Sequence, residues 1–348
     1  MKMKKLLALF LSVSIVLSMA ACSSSTTASN SEPTSTELAS TEPASTEPVS
    51  TETVPDEISE PDVVTITAYN AEKELIEVEV PYNPQRVAVM DMATLDMMDY
   101  WNLGDRVVGM AKKTHVDYLK SYIDNEDIQN LGTLHESDLE AMMAAEPDII
   151  FIGNRMASQY DALSEIAPVV YMALDYEAGL IQCMKNNVGN VAKIFGMEKM
   201  AESQIAGFES RIEVLAAAAK DKTAAIGVVT SGGFNTLGNT SRCSLIGREV
   251  GFENLANNVD ATHGNESSFE LLVELNPDYI FVLDRDSAIA AEGAQIASEV
   301  MENELVQKTS AYQNNQIVYL TPAPWYLAEG GLTAMDAMLS DLEGAILD

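Results

Sequence analysis

The sequence predicts an α/β fold with two lobes, because one segment of the chain occurs twice. Residues 138–155 read DLEAMMAAEPDIIFIGNR and residues 268–285 read SFELLVELNPDYIFVLDR. Each copy is typical of a short amphipathic helix, a Pro-Asp break and a buried strand, since proline ends a helix and a continuous apolar run suits a strand covered on both faces. Such a repeat indicates two similar lobes. The identical positions pair Glu140 with Glu270, Pro147 with Pro277, Asp148 with Asp278, Ile150 with Ile280, Phe151 with Phe281 and Arg155 with Arg285.

An arginine follows the predicted strand in each copy. Ligands of open parallel sheets bind at the carboxyl ends of the strands, where Arg155 and Arg285 are expected to lie. Two guanidinium groups from separate lobes predict a shared cleft for an anionic ligand. The alternative is that each arginine is a solvated surface residue, and the match between the two copies favours the cleft.

The first 21 residues read as a lipoprotein signal peptide. Three lysines precede an apolar run over residues 6–16, and Met-Ala-Ala stands directly before Cys22. The apolar run is too short for an ordinary membrane span. The junction resembles the lipobox of bacterial lipoproteins, although Met19 replaces the usual leucine, and this resemblance implies cleavage and acylation at Cys22. A plain secretory signal with an incidental cysteine is the alternative.

Residues 22–62 are predicted to form a disordered tether behind the lipidated cysteine. Ser, Thr, Glu, Pro and Ala dominate the segment, and ASTEP occurs at positions 39 and 44. This composition cannot bury a core, and its acidic charges repel one another. The sequence therefore predicts a folded domain outside the cytoplasm, held by acyl chains to the outer face of the cell membrane.

The charge balance and the cysteines limit the partners and the chemistry. The chain has 20 Lys plus Arg against 53 Asp plus Glu, which argues against nucleic acid because phosphate neutralisation needs a basic surface. After Cys22, only Cys183 and Cys243 remain, without CxxC spacing. We expect two unpaired buried thiols, and a disulfide between them is the alternative.

The folded part divides into three predicted regions. The first lobe spans 63–176 and opens with a hairpin, because VVTITAY and LIEVEVPY alternate apolar and polar residues around a short polar turn. Residues 177–220 have helical composition and predict one long linking helix, or two helices broken at Phe195-Gly196-Met197. The second lobe spans 221–348 and begins with the apolar run AAIGVVTSGG, which lacks the spacing of a phosphate-binding loop.

Three further residues of the second lobe carry site-like chemistry. Arg242 is expected in the first turn of a helix that places its guanidinium by the cleft. His263 lies in a polar loop before the second repeat, and Tyr326 lies in an exposed Pro-rich turn. Such residues often have no role, but imidazole and phenolate are good ligands for Fe(III), and nearby arginines would neutralise an anionic chelator.

From about Asn83 to its end, the chain resembles the class III periplasmic-type substrate-binding proteins of iron-siderophore ABC importers, most closely those that bind ferric catecholates. This resemblance implies two Rossmann-like α/β lobes joined by a single long helix, giving a rigid clamp. The motifs that carry it are GNR at 153–155, SR at 241–242, THG at 262–264, NPDYIFVLDR at 276–285 and PAPWYLAEGG at 322–331.

The resemblance also implies roles for the ligand-binding residues. Arg155, Arg242 and Arg285 would form a basic pocket. His263 and Tyr326 would complete the coordination of the iron when the siderophore leaves two positions open. The ligand would be an Fe(III)-siderophore, and no intrinsic cofactor is expected.

Two glutamates and the partners follow from the same resemblance. Glu140 and Glu270 would form salt bridges to arginines of the permease, one from each lobe. The partners would be the ABC permease with its ATPase, and the membrane through the lipid anchor. We expect a monomer.

Other functions fit the sequence less well. Nothing reads as a nucleophile elbow, a zincin helix or paired catalytic carboxylates, so no enzymatic activity is expected. His115, His135 and His263 are too few and scattered for a zinc or manganese receptor. Haem, cobalamin and hydroxamate siderophores remain alternatives, but three arginines favour an anionic catecholate over a neutral hydroxamate.

Overall fold

Two β-sheets organise the computed structural model, which describes residues 61–114, 116–257, 265–266 and 269–347. The strands of the first sheet are arranged in the order β2-β1-β7-β6-β3-β4-β5, and those from β7 to β5 are mutually parallel. These strands are β1 (Val63–Tyr69), β2 (Leu75–Pro81), β3 (Val87–Met90), β4 (Val107–Met110), β5 (Gln129–Asn130), β6 (Ile149–Ile152) and β7 (Val169–Tyr171).

The second sheet has a parallel centre. Its order is β11-β9-β8-β12-β13, with β10 alongside β8; β8, β12 and β13 are parallel, and β9 is antiparallel to β8. The centre of each sheet is buried on both faces, as the continuous apolar runs predict. The strands are β8 (Thr223–Thr230), β9 (Gly233–Thr236), β10 (Glu253–Asn254), β11 (Asn265–Glu266), β12 (Tyr279–Asp284) and β13 (Ile317–Leu320).

Helices follow or precede most strands of both sheets. Among the described residues, no helix has the length and hydropathy needed to cross a membrane. The α-helices are α1 (Met92–Tyr100), α2 (Lys120–Asp124), α3 (Leu139–Ala144), α4 (Tyr160–Ser164), α5 (Leu180–Phe195), α6 (Glu198–Ala219), α7 (Ser244–Arg248), α8 (Phe269–Leu275), α9 (Arg285–Ala288), α10 (Ala297–Met301), α11 (Ser310–Gln313), α12 (Pro322–Tyr326) and α13 (Leu332–Ile346).

The predicted N-terminal hairpin is confirmed. Strands β1 and β2 pair antiparallel from Val63 opposite Pro81 to Tyr69 opposite Leu75. The turn between them closes through Asn70, whose side-chain oxygen accepts a hydrogen bond from the Glu74 amide. This hairpin adds an antiparallel edge to the parallel sheet, because β1 also pairs with β7.

The repeated segment forms the same unit in both sheets. Helix α3 leads to β6 in the first copy, and α8 leads to β12 in the second. Each helix ends at a left-handed residue directly before the proline, Glu146 with φ of 45° and Asn276 with φ of 43°. Because Pro147 and Pro277 disfavour helical backbone in the preceding residue, both copies turn at the same place.

The aspartate of each Pro-Asp pair fixes the neighbouring strand. The Asp148 carboxylate accepts a hydrogen bond of 2.9 Å from the Arg86 amide, just before β3. In the second copy, the Asp278 carboxylate accepts one of 2.9 Å from the amide of Thr223, the first residue of β8. These bonds satisfy backbone donors at the start of two neighbouring strands, so the repeat encodes strand alignment as well as a turn.

The segment over residues 177–220 forms two helices broken at Phe195-Gly196-Met197, as the alternative predicts, and not the single long helix. Helix α5 ends at Gly196, which has the left-handed φ of 69°, and α6 begins at Glu198. The left-handed backbone favours glycine at this position, and a Cβ there would also displace the Tyr82 hydroxyl, 2.6 Å away. The two helices then pack against each other, and Lys185 of α5 forms a salt bridge of 2.6 Å with Glu209 of α6.

The last helix returns to the first lobe. Helix α13 packs against α1 and α6. Asp96 of α1 is fully buried and accepts hydrogen bonds from the amides of Thr333 and Ala334 at 2.8 and 2.9 Å, and from the Tyr118 hydroxyl at 2.6 Å. Burial raises the pKa of Asp96 to about 6, and these bonds oppose the rise. The lobes are therefore joined at two places, by α5 with α6 and by α13.

Candidate functional site between the two sheets

Arg155 enters the space between the sheets from the first lobe. It follows β6 in a short 3-10 turn over Asn154–Gln159. Its Nη2 donates a hydrogen bond of 3.2 Å to the backbone oxygen of Tyr326, which belongs to the second lobe. Burial lowers the pKa of Arg155, and the positive charge of Arg242 lowers it further. The side chain is therefore placed among other cations.

Arg285 enters from the second lobe at the equivalent point of the repeat. It is the first residue of α9, directly after β12. Its Nε donates a hydrogen bond of 3.1 Å to the Tyr326 hydroxyl, and its Nη1 lies 2.9 Å from Asp286 and 3.2 Å from Thr230. The side chain is 30% exposed, so part of the guanidinium still faces the cleft.

Tyr326 is the centre on which the arginines converge. The guanidinium carbons of Arg155, Arg242 and Arg285 lie 5.6, 4.4 and 5.9 Å from the centroid of its ring. The sequence predicted an exposed turn for Tyr326, but the residue ends the short helix α12 and is 5% exposed. Three cations around one phenol ring create a site that favours negative charge.

Arg242 lies behind this centre and does not line the cleft. It precedes α7, and its side chain is 8% exposed. Its Nη1 donates hydrogen bonds of 2.9 Å to the Tyr326 backbone oxygen and 3.3 Å to that of Trp325, and lies 3.4 Å from the Glu329 carboxylate. The expectation of a guanidinium facing the cleft is thus corrected: Arg242 is buried between Tyr326 and a carboxylate that attracts it.

Glu329 completes the buried network. The residue is 4% exposed and accepts a hydrogen bond of 2.7 Å from the Tyr176 hydroxyl. Burial raises the pKa of Glu329, while Arg242 and Tyr176 act in the opposite direction. The network holds the α12 backbone, and with it the ring of Tyr326, from behind.

A cavity of about 250 Å³ opens in front of Tyr326 and lies between the lobes. Two of its lining residues were missed by the sequence reasoning: Lys113 and His135, both exposed and both from the first lobe. They follow β4 and β5, so the rule that ligands bind at the carboxyl ends of strands could have found them. The other lining residues are Thr114, Thr133, Leu134, Arg155, Arg285, Ile289, Tyr326 and Leu327.

Comparison with known proteins identifies the architecture. A family model described as periplasmic binding protein matches residues 87–324. The petrobactin-binding protein YclQ of Bacillus subtilis is 32% identical over 271 residues, covering 77% of this chain and 84% of YclQ. The chain belongs to the periplasmic binding protein family. The crystal structure of YclQ has a TM-score of 0.76 at 30% identity, covering 82% of this chain and 99% of that one.

Other relatives of this periplasmic binding protein carry related names. The ferric-anguibactin-binding protein FatB of Vibrio anguillarum is 26% identical over 265 residues, covering 74% of this chain and 81% of FatB. The periplasmic catecholate-siderophore binding protein VctP of Vibrio cholerae has a TM-score of 0.74 at 29% identity, covering 81% of this chain and 100% of that one. The family resemblance and the two-lobed α/β fold class predicted from the sequence are confirmed.

Two of the predicted site residues of this periplasmic binding protein lie outside the described residues. They are His263 and Cys22. The pairing of His263 with Tyr326 as iron ligands and the lipid anchor therefore stay predictions. The structure does bring Arg155, Arg285 and Tyr326 together at one cavity, with Arg242 behind them.

The two candidate docking glutamates occupy equivalent places. Glu140 lies in the first turn of α3, and Glu270 lies in the first turn of α8. Both residues are exposed. A docking role for these two glutamates stays a prediction.

The cysteines of the folded part are unpaired thiols. Cys183 and Cys243 are both buried, and neither forms a disulfide. Burial raises the pKa of Cys183 to about 11 and that of Cys243 well above its ordinary value. The expectation of two unpaired buried thiols is confirmed, and such thiols are poor nucleophiles because little thiolate is present.

Proposed function

We propose that this chain is the extracytoplasmic solute-binding component of an ABC importer, which captures an Fe(III)-siderophore, of the catecholate type, and delivers it to the membrane permease. The observation that carries the proposal is the convergence of Arg155 and Arg285 on Tyr326 at the cavity between the lobes, with Arg242 behind the ring. A ferric catecholate is anionic and gains from this positive field, whereas a neutral ferric hydroxamate gains little. The names of YclQ, FatB and VctP support the same ligand class.

Iron coordination belongs to this proposal. A chelator with two catechols supplies four oxygens, and ferric iron prefers six ligands. The Tyr326 phenolate and the His263 imidazole would fill the two open positions, with Tyr326 at the wall of the cavity. Haem and cobalamin are alternatives that a ligand panel tests. The chain acts in this account as a monomer and not as an enzyme.

Removing a guanidinium from the cavity is expected to weaken binding of a ferric bis-catecholate. Arg155→Ala and Arg285→Ala should each cost about 1.5 to 3 kcal/mol, because a charge-assisted hydrogen bond in a cleft is lost. Arg→Lys should restore only part of the lost affinity, because lysine keeps the positive charge but lacks the planar guanidinium fork. Quenching of intrinsic fluorescence, measured with a panel of ferric catecholates, ferric hydroxamates, haem and cobalamin, gives the affinities.

Lys199→Ala is the matched control for these variants. It removes one positive charge from an exposed position on α6, and affinity should not change. Wild-type affinity in both arginine variants would show that the cavity does not bind the chelate. Tighter binding of haem or cobalamin than of any ferric siderophore would replace the proposed ligand class.

Anchoring through Cys22 is the second part of the proposal. The motivation is the signal-like segment that ends at Met-Ala-Ala-Cys. Cys22→Ser should move the protein from the membrane fraction to the soluble fraction, because the acyl chains supply the membrane affinity. Unchanged fractionation, together with the absence of an acyl mass on the wild-type protein, would remove this part of the account.

A further inference from the structure

A second cavity, of about 380 Å³, is lined by Asn154, the chain neighbour of Arg155, and differs in chemistry from the first. Three tyrosines line it, Tyr69, Tyr171 and Tyr176, and two carboxylates, Asp175 and Glu177. The rings of Tyr69 and Tyr171 meet edge to face, with their centroids 6.2 Å apart. An aromatic wall with acidic groups beside it suits a cation, whereas the first cavity suits an anion.

The two cavities share a wall. Asn154 lines the second cavity, and its chain neighbour Arg155 lines the first. The Asn154 side chain bonds both backbone groups of Leu174, donating to the oxygen at 3.1 Å and accepting from the amide at 2.9 Å. This pair of bonds fixes the segment that carries Asp175 and Tyr176 next to the end of β6.

A buried chain of polar groups also links the cavities. Tyr176 donates to Glu329, Glu329 attracts Arg242, and Arg242 donates to the backbone oxygen of Tyr326. Arg248 holds the same wall from the second lobe by donating to the backbone oxygens of Tyr176 and Glu177. The wall is therefore built by contacts from both lobes.

The carboxylates of the second cavity carry usable negative charge. Asp175 accepts a hydrogen bond of 3.0 Å from the Glu177 amide, and in the part of the chain that the structure describes neither side chain forms a salt bridge. Lys73 also lines the cavity but is exposed, and Arg248, which bonds the backbone of the wall, is not among the lining residues. Burial, and then the charge of Asp175, raises the pKa of Tyr69.

We propose that the second cavity is a subsite for an alkylammonium group, held by Asp175, Glu177 and the faces of the neighbouring tyrosines. The group would be an amine on an arm of the chelator whose ferric centre occupies the first cavity, and this source rests on the proposed function. A free polyamine has the same chemistry and is the other source. The subsite would select chelators by their linker, independently of their iron-binding groups.

Three probes test the subsite by isothermal titration calorimetry on the full mature chain. The first is a ferric bis-catecholate with a secondary amine in its linker, and the second has an ether oxygen in place of that amine. The third is 1,4-diaminobutane alone. The wild type should bind the amine chelate about 10-fold more tightly than the ether chelate, as one charge-assisted contact provides.

Asp175→Asn and Glu177→Gln should bring this ratio close to one while leaving affinity for the ether chelate unchanged. Asparagine keeps the acceptor for the Glu177 amide, so the fold is preserved. Glu165→Gln, at an exposed position of the first lobe, is the control and should keep the ratio. Equal affinity of the wild type for the amine and ether chelates, or a ratio that survives both variants, overturns the chelator-arm source.

The diamine separates this inference from the proposed function. If neither chelate binds, the proposed function fails, but diamine binding that is lost in Asp175→Asn still supports the cation subsite, with a polyamine as its ligand. The subsite is overturned if two results occur together. The wild type shows no preference for the amine chelate over the ether chelate, and the diamine either does not bind or binds equally to Asp175→Asn. Preference for the amine chelate without diamine binding identifies the chelator arm as the source.

Discussion

Replacement of Arg242 by methionine is expected to lower the free energy of unfolding by about 3 to 5 kcal/mol. Methionine has similar length but leaves the Glu329 carboxylate buried without its cation, and the backbone oxygen of Tyr326 keeps only its bond of 3.2 Å from Arg155. Because burial already raises the pKa of Glu329, the carboxyl group will take up a proton in the variant. A neutral carboxyl group costs less to bury than a carboxylate, so the loss of stability should lie nearer the lower end of this range. Urea unfolding followed by circular dichroism measures it.

Two further variants make this result specific. Arg242→Met combined with Glu329→Gln should recover part of the lost stability, since both buried charges are then removed. Lys120→Met breaks an exposed ion pair with Asp124 and should cost less than about 1 kcal/mol. If Arg242→Met left stability unchanged and weakened only ligand binding, Arg242 would be a ligand contact, as the sequence reasoning expected.

Reversing the charge of either docking glutamate is expected to stop uptake without changing ligand affinity. Glu140→Lys or Glu270→Lys would place a lysine against the permease arginines that the family resemblance implies, and such a like-charge contact costs several kcal/mol. Both side chains are exposed on the repeated helices, and neither residue lines the cavity. Uptake of radioactive iron by cells and affinity of the purified variants are measured together.

Glu213→Lys is the control for docking. It reverses an exposed charge on α6, and uptake should remain normal. Joint loss of affinity and uptake in the docking variants would point to a folding defect, which urea unfolding would reveal. Normal uptake in both docking variants would exclude Glu140 and Glu270 from the permease contact.

The repeat made the two lobes predictable because its signals are local. Proline disfavours helical backbone in the residue before it, and Glu146 and Asn276 both turn there with left-handed φ. The arginines then follow the strands by chain order alone. The same reasoning placed Arg155 and Arg285 at one cleft, and the structure has them there.

The burial of Arg242 could not be predicted because it depends on a distant residue. Its partner Glu329 lies 87 positions away, and no local pattern couples them. Likewise, Tyr326 reads as part of an exposed turn, although α12 buries it against three guanidinium groups. Tertiary contacts decide the exposure of both side chains.

Two other features have weak sequence signals. Strand β5 has two residues, so no periodicity marks it, and His135 after it was not recognised as a cavity residue. Gly196 breaks the linking helix, whereas Gly189 and Gly207 lie inside α5 and α6. What distinguishes Gly196 is its left-handed φ of 69°, with the Tyr82 hydroxyl close to where a side chain would begin.

The most direct test of the central claim is a crystal structure of the chain with a ferric bis-catecholate, using the anomalous signal of iron to locate the metal. The account predicts iron in the cavity lined by Arg155, Arg285 and Tyr326, within about 2 Å of the Tyr326 phenolate oxygen, as expected for an oxygen ligand of a hard cation. Iron in the cavity but more than about 4 Å from that oxygen would keep the ligand class and reject coordination by Tyr326. An anomalous peak outside the cavity, with the space in front of Tyr326 empty at saturating ligand, would contradict the account.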